Sequence, residues 1–247
     1  MNKLLPLSLL MFSASGLTAQ CHVDIKNEVR LNGQALEITK TNGEKVRVDN
    51  NDDLLIDGKL ITLNESQKEA IKSYREKLNS YIPQAKHLAD ESLALANDII
   101  DDIAQSIDSP AAFDNVKVAA NKFFKNVEAR YFKDGDFILP AESFDSMMQS
   151  WSKDLEKAQA LFSSEFLGSA FEALSVKMKE DGGLNLTELS KSLSSLQAKA
   201  EQRLSEHSKE MEQKAKSLCD SLDGIAEQEQ ELHKKIPELK NYQVFII

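Results

Sequence analysis

The spacing of apolar positions changes at Asn64, and that change separates two kinds of structure along the chain. Before it, short β-prone runs alternate with turn dipeptides. The runs are Val23-Asp24-Ile25, Ala35 to Thr39, Lys45 to Val48, Leu54 to Ile56 and Lys59 to Thr62. The turns are Asn32-Gly33, Asn42-Gly43, the stretch Asn50 to Asp53, and Asp57-Gly58. Asn-Gly and Asp-Gly suit tight hairpins because both central residues tolerate positive φ. Leu36-x-Ile38 and Val46-x-Val48 alternate with polar residues, as strands with one buried face do. The pattern predicts a meander of three to five short antiparallel strands over residues 20–63. About 40 residues bury little core alone, so such a sheet has to lean on something else.

From Asn64 the period is that of a helix. Asn64 and Gln67 have the spacing of a capping box, and Ile71, Tyr74, Leu78 and Tyr81 follow on one face. Pro83 kinks or restarts the helix. A second helix runs to about Ile107 on a stripe of Leu88, Ala96, Ile99, Ile100, Ile103 and Ile107. A third starts at Ser109-Pro110 and carries Phe113, Val116, Ala120, Phe123, Phe124, Val127 and Tyr131. Asp134-Gly135 breaks it, and Phe137 to Pro140 reads as an extended connector. A fourth helix is expected over Ala141 to Lys179, ended by Gly182-Gly183. The last starts near Asn185 and runs to about Lys234, roughly 70 Å at helical rise. Its leucines keep coiled-coil spacing through Leu186, Leu189, Leu193 and Leu196, then slip register, which favours packing against neighbouring helices.

The expected fold is mainly α within an α+β class. A small N-terminal antiparallel β-meander precedes an elongated antiparallel helical bundle, residues 64–240, with a long C-terminal helix. The tail, residues 241–247, ends in Val-Phe-Ile-Ile and is too apolar to be left in water. It is expected to add to the sheet as a strand or cover its apolar face. The alternative is an exposed C-terminal signal captured by strand addition.

The first 19 residues read as a secretory leader: Met1-Asn2-Lys3 is basic, Leu4 to Phe12 apolar, and Ser13 to Ala19 small. Cleavage after Ala19 leaves Gln20 ahead of Cys21, one residue out of place for lipid attachment. The leader removes Lys3 and no acid, so 29 basic face 40 acidic residues and the net charge is near −11. That balance offers no footprint for nucleic acid. No later run is long and apolar enough to span a membrane. With 6% aromatic residues and 9 glycines among 247 residues, the composition argues against an all-β barrel.

Export changes the reading of the two cysteines, Cys21 and Cys219, because disulfides persist outside the cytoplasm. An intramolecular Cys21–Cys219 bridge would close a loop of about 200 residues and stabilise by at most roughly 5 kcal/mol. With no Cys-x-x-Cys, an oxidoreductase is not indicated. The 4 histidines, His22, His87, His207 and His233, are scattered. His207 and Met211 share a helical face that could suit a soft metal, yet Met211 is more simply a core residue. Glu91, Asp98, Asp101 and Asp102 form an acidic face on the second helix, read as solvated. No nucleophile elbow or phosphate loop is present. The reading is no catalytic residue, no cofactor and no metal.

The leader, the early Cys21, Asp57-Gly58-Lys59 in the β-rich part, Leu63-Asn64 with Gln67, and the late Cys219 form a recurring combination. In these the chain resembles the YggN-like family of proteobacterial envelope proteins of unknown function, over essentially the whole mature length. The resemblance implies a periplasmic location and a shared cysteine pair, and it implies no activity. The functional expectation is a non-enzymatic envelope protein binding another protein or peptide, as an adaptor or chaperone does. The alternative is a carrier of a lipid or other apolar small molecule.

Overall fold

A computed structural model describes residues 24–180, 183 and 185–246; at 144, 148, 151, 155, 158–163, 204, 208–212, 215, 218 and 219 only the backbone is described. The predicted leader and Cys21 lie outside these residues. The chain is a mixed α+β protein, strand-rich toward its N-terminus and helical beyond. The strands are β1 (Asp24–Ile25), β2 (Glu28–Leu31), β3 (Leu36–Thr39), β4 (Lys45–Val48), β5 (Leu54–Ile56) and β6 (Lys59–Ile61). Helices α1 (Glu65–Asn79), α2 (Tyr81–Ser106) and α3 (Asp114–Tyr131) follow, then the hairpin β7 (Phe132–Lys133) and β8 (Asp136–Leu139). The chain continues through α4 (Phe144–Glu180), α5 (Leu186–Lys235), a 3-10 turn over Pro237–Tyr242, and β9 (Phe245–Ile246).

Seven strands form one antiparallel sheet in the order β6-β5-β4-β3-β2-β8-β7. Along β2, β3 and β4 the alternation puts Val29, Leu31, Leu36, Ile38, Val46 and Val48 on one buried face. The sheet does lean on other elements. Ile71, Tyr74 and Leu78 of α1 pack on it with Ile225, Ala226, Leu232 and Ile236 from the end of α5. Polar contacts also fix α1. Its capping box is complete, with Asn64 accepting from the Gln67 amide and Gln67 Oε1 accepting from the Asn64 amide. The same Gln67 side chain donates to Lys235 O at 2.7 Å, tying the start of α1 to the end of α5. On the sheet side, Arg75 donates to Asp52 Oδ1 at 2.8 and 3.1 Å. Asp52 sits in the left-handed backbone region at φ 63°.

A second core lies among the helices. Ile99, Ile100 and Ile103 of α2, with Ile107 and Phe113 from the connection after it, meet Val116 of α3, Ala170 and Leu174 of α4, and Leu189 and Leu196 of α5. Phe113 stacks on Phe166 with ring centroids 5.0 Å apart. Helix α5 therefore serves both cores, its first third in one and its last third in the other.

Three elements differ from the sequence reading. Glu28–Leu31 is a strand: its Val29-x-Leu31 alternation ahead of Asn32-Gly33 is only one repeat long, too short a signal on its own. Phe137 to Leu139 is not a free connector: it belongs to β8, paired with β2 through Val29–Leu139, Arg30–Ile138 and Leu31–Phe137. The reason is the turn at Asp134-Gly135, which has φ of 55° and 88° and folds β7 back on β8 as the Asn-Gly turns do elsewhere. Finally, α3 begins at Asp114 rather than Pro110, because residues 109–113 form turns closed by Ala112 N to Ser109 O.

Candidate functional site

Three places carry functional potential, and the first is a slot holding the chain's own end. Strand β9 pairs antiparallel with β1, Asp24 opposite Ile246 and Ile25 opposite Phe245. It joins a separate two-stranded ribbon, not the edge of the large sheet. Val244 and Phe245 are buried at 0% and 2% exposure, while Ile246 is 39% exposed. Glu229 of α5, itself only 2% exposed, lies beneath them. Its Oε1 accepts the Val244 amide at 2.7 Å and its Oε2 the Phe245 amide at 2.9 Å. Tyr74 of α1 donates its hydroxyl to Glu229 Oε1 at 3.0 Å. From the other side, Lys26 N donates to Val244 O at 2.8 Å and Asn27 Nδ2 to Gln243 O at 2.6 Å. Burial pushes the Glu229 carboxyl up from its ordinary value, and the two amides, Tyr74 and the charge of Lys26 pull against that. Tyr74 is pushed well up, by burial first and then by the Glu229 charge.

Sequence reasoning missed Glu229. Its signal was present: Ile225, Glu229, Leu232 and Ile236 run at helical spacing along one buried stripe of α5, and a carboxylate sits at a core position. A buried carboxylate needs donors, and consecutive backbone amides supply them.

The second place is an open cleft of about 480 Å³ between α2 and α5, lined by residues that include Leu95, Asp98, Ile99, Asp102, Arg203 and His207. Here the acidic face of α2 is not simply solvated. Asp101 pairs with Lys117 of α3, Asp102 with Arg203 of α5, and Glu91 with Lys214 of α5 at 2.9 Å and with His87 at 3.2 Å. The bond from Lys214 holds Glu91 below its usual range, and the bond to Asp102 raises Arg203. These pairs are half exposed and screened, so they set which faces of the helices meet more than they add stability. His207 reaches this cleft; the Met211 side chain lies outside the described residues. Among the described residues, no three His, Cys, Asp or Glu side chains gather closely enough to hold a metal ion.

The third place is an exposed apolar stripe. Leu167 and Phe171 of α4, one turn apart on the same face, are 36% and 50% exposed. Val176 of α4, 51% exposed, is nine positions from Leu167 and so on the opposite side of the helix, outside this stripe. Of the sequence-predicted site residues, Cys21 lies outside the described residues, and Cys219 is placed in α5 by its backbone alone. The disulfide therefore also falls outside what the structure describes.

Set beside known sequences, one match stands out, spanning residues 21–245. The chain belongs to the family "protein of unknown function (DUF2884)". The matched span takes in both cysteines, Glu229 with its slot, the α2–α5 cleft and the α4 stripe. No curated protein and no solved structure matches the chain. Among the described residues, no helix is long and apolar enough to cross a membrane.

Proposed function

We propose that this is an exported, non-enzymatic protein of the periplasm that binds another protein or peptide, as an adaptor or a chaperone does. The observation that carries this reading is the Leu167–Phe171 stripe. A Phe left half exposed one turn from an exposed Leu, beside the helical core, is apolar area that a polypeptide partner can cover. We read α2 to α5 as an elongated antiparallel bundle with a long C-terminal helix, a scaffold that keeps such a stripe rigid and in reach. In support, α3 and α4 are tied along their length by Phe113–Phe166 at one end and by Arg130–Asp154 near the other.

The alternative, carriage of a lipid or other apolar molecule, calls for an enclosed apolar cavity. The α2–α5 cleft is open and lined by three aspartates, Arg203 and His207, chemistry poorly suited to an acyl chain. The test is suppression of aggregation of an unfolded client protein. Intact protein is expected to suppress it and the L167S/F171S variant to lose most of that effect while keeping its helical content. Equal behaviour of the two, or no suppression by either, would remove the reading's support.

A further inference from the structure

Two turns of the large sheet carry the dipeptide Asn-Gly, and the fold holds them in different ways. At Asn32-Gly33 the Gly33 amide donates to Asn79 Oδ1 of α1 at 2.7 Å. Asn79 is only 7% exposed, and its Nδ2 donates to Arg75 O at 2.9 Å and to Ala35 O at 3.2 Å. Asn32 Oδ1 accepts from the Gln34 and Ala35 amides at 3.0 and 2.7 Å. At Asn42-Gly43 the corresponding bonds come from the turn itself. The Gly43 amide donates to Lys40 O at 2.9 Å, and Asn42 Oδ1 accepts from the Glu44 amide at 3.1 Å. Asn42 and Gly43 are exposed at the tip between β3 and β4.

We propose that Asn42 is a site of spontaneous covalent modification, converted to aspartate and isoaspartate by its own backbone and water, and that Asn79 shields Asn32 from the same reaction. The Gly43 nitrogen gives its proton to solvent base and attacks Asn42 Cγ. A Cγ–N bond forms and the Cγ–Nδ2 bond breaks, with Nδ2 taking up a proton and leaving as ammonia. Water then opens the five-membered imide. Attack at Cγ gives aspartate, and attack at the main-chain carbonyl gives isoaspartate. Glycine, which φ of 88° favours at 43, leaves the attacking nitrogen uncrowded. The reaction needs the turn to open. Residues 40–44 can open alone, as exposed tips do at little cost in free energy. Opening Asn32-Gly33 parts a buried side chain of α1 from the sheet and breaks its bonds to Gly33 and Ala35. The product places a new carboxylate beside Glu44, whose own carboxyl Lys40 and then Asn42 hold below its ordinary value. It competes for Lys40, which lies 5.1 Å over the Tyr242 ring. The site is independent of the Leu167–Phe171 stripe.

The experiment ages the unaltered chain in mildly alkaline buffer, folded and unfolded in urea, and follows both sites by peptide mass mapping. Each folded rate is divided by the same site's rate in urea, which removes the effect of flanking sequence. That ratio is expected to be at least tenfold higher at Asn42 than at Asn32, with isoaspartate among the products at 42. Equal ratios, or an Asn42 that stays intact in the folded chain while the urea sample converts, overturn the proposal. Asn79→Ala checks the shield. While its circular dichroism stays native, the rate at Asn32 is expected to rise at least fivefold and the rate at Asn42 to stay the same. A folded N79A protein in which Asn32 reacts no faster overturns the shield. Should that variant not fold, amide exchange in the unaltered chain decides the matter. The Gly33 amide must then exchange far more slowly than the Gly43 amide, and equal exchange overturns the shield.

Discussion

Tyr74 and Glu229 are 155 positions apart and share one hydrogen bond of 3.0 Å in the centre of the sheet-side core. The bond joins α1 to α5 directly beneath the C-terminal strand, so one carboxylate holds a helix, a second helix and the chain's end together. Replacing Tyr74 by Phe removes a bond to a buried carboxylate and is expected to cost about 1.5–3 kcal/mol. Replacing Glu229 by Ala strands two backbone amides and opens a cavity, and should cost more than Tyr74→Phe. Urea unfolding of the three proteins checks both; a Glu229→Ala protein as stable as the parent contradicts the clasp.

Glu229 also makes stability depend on pH in a definite direction. Its folded-state carboxyl is raised above the ordinary value of 4.5, so the folded chain holds that proton more tightly than the unfolded chain does. This contribution is fully present below the unfolded value and is lost as pH rises through the folded one. The unaltered protein should therefore gain on Glu229→Gln as pH falls from about 8 to about 5. Melting temperatures of the pair across that range measure it. A constant difference would mean Glu229 does not titrate there.

Arg75 anchors α1 to the sheet through Asp52, and its side chain is 8% exposed. Removing the Asp52 carboxylate leaves the nearly buried guanidinium with only the more exposed Glu76, 3.6 Å away, as a charged partner. Asp52→Ala should cost roughly 1.5–3 kcal/mol by urea unfolding. A loss below about 0.5 kcal/mol, the usual effect at a free surface site, would contradict the anchor.

The cysteine pair can be tested on protein isolated from the cell envelope. Strand β1 is tied through β9 to Glu229. Cys219, ten residues earlier in α5, is about 15 Å away along the helix. Cys21 precedes Asp24 by three residues. Intact mass is expected to show a chain beginning at Gln20 and lighter by two hydrogens than after reduction. A retained leader or two alkylatable thiols would contradict export with a bridge.

Much of the fold was legible because local chemistry dictated it. Asn64 with Gln67 specifies a helix start whatever lies around it, and Asn32-Gly33 and Asn42-Gly43 specify turns. The joining of β8 to the sheet was not legible. Its partner β2 is more than a hundred positions earlier, and nothing in Phe137 to Leu139 names that edge. From sequence the acidic face of α2 reads as solvated because a helical wheel shows which residues share a face, not which cations stand opposite. Lys117, Arg203 and Lys214 come from two other helices. Glu229 was the recoverable omission, since a carboxylate at a core position of an amphipathic helix demands an explanation from sequence alone.

The most direct measurement of the polypeptide-binding account is site-specific photocrosslinking in the intact cell envelope. One variant carries the photoreactive residue at Phe171 and the other at the adjacent exposed Glu172, and unlabelled protein serves as competitor. The account predicts a discrete polypeptide adduct from position 171 that excess unlabelled protein abolishes, with far less from position 172. Equal labelling from both positions, or labelling at 171 that excess unlabelled protein leaves unchanged, would contradict it.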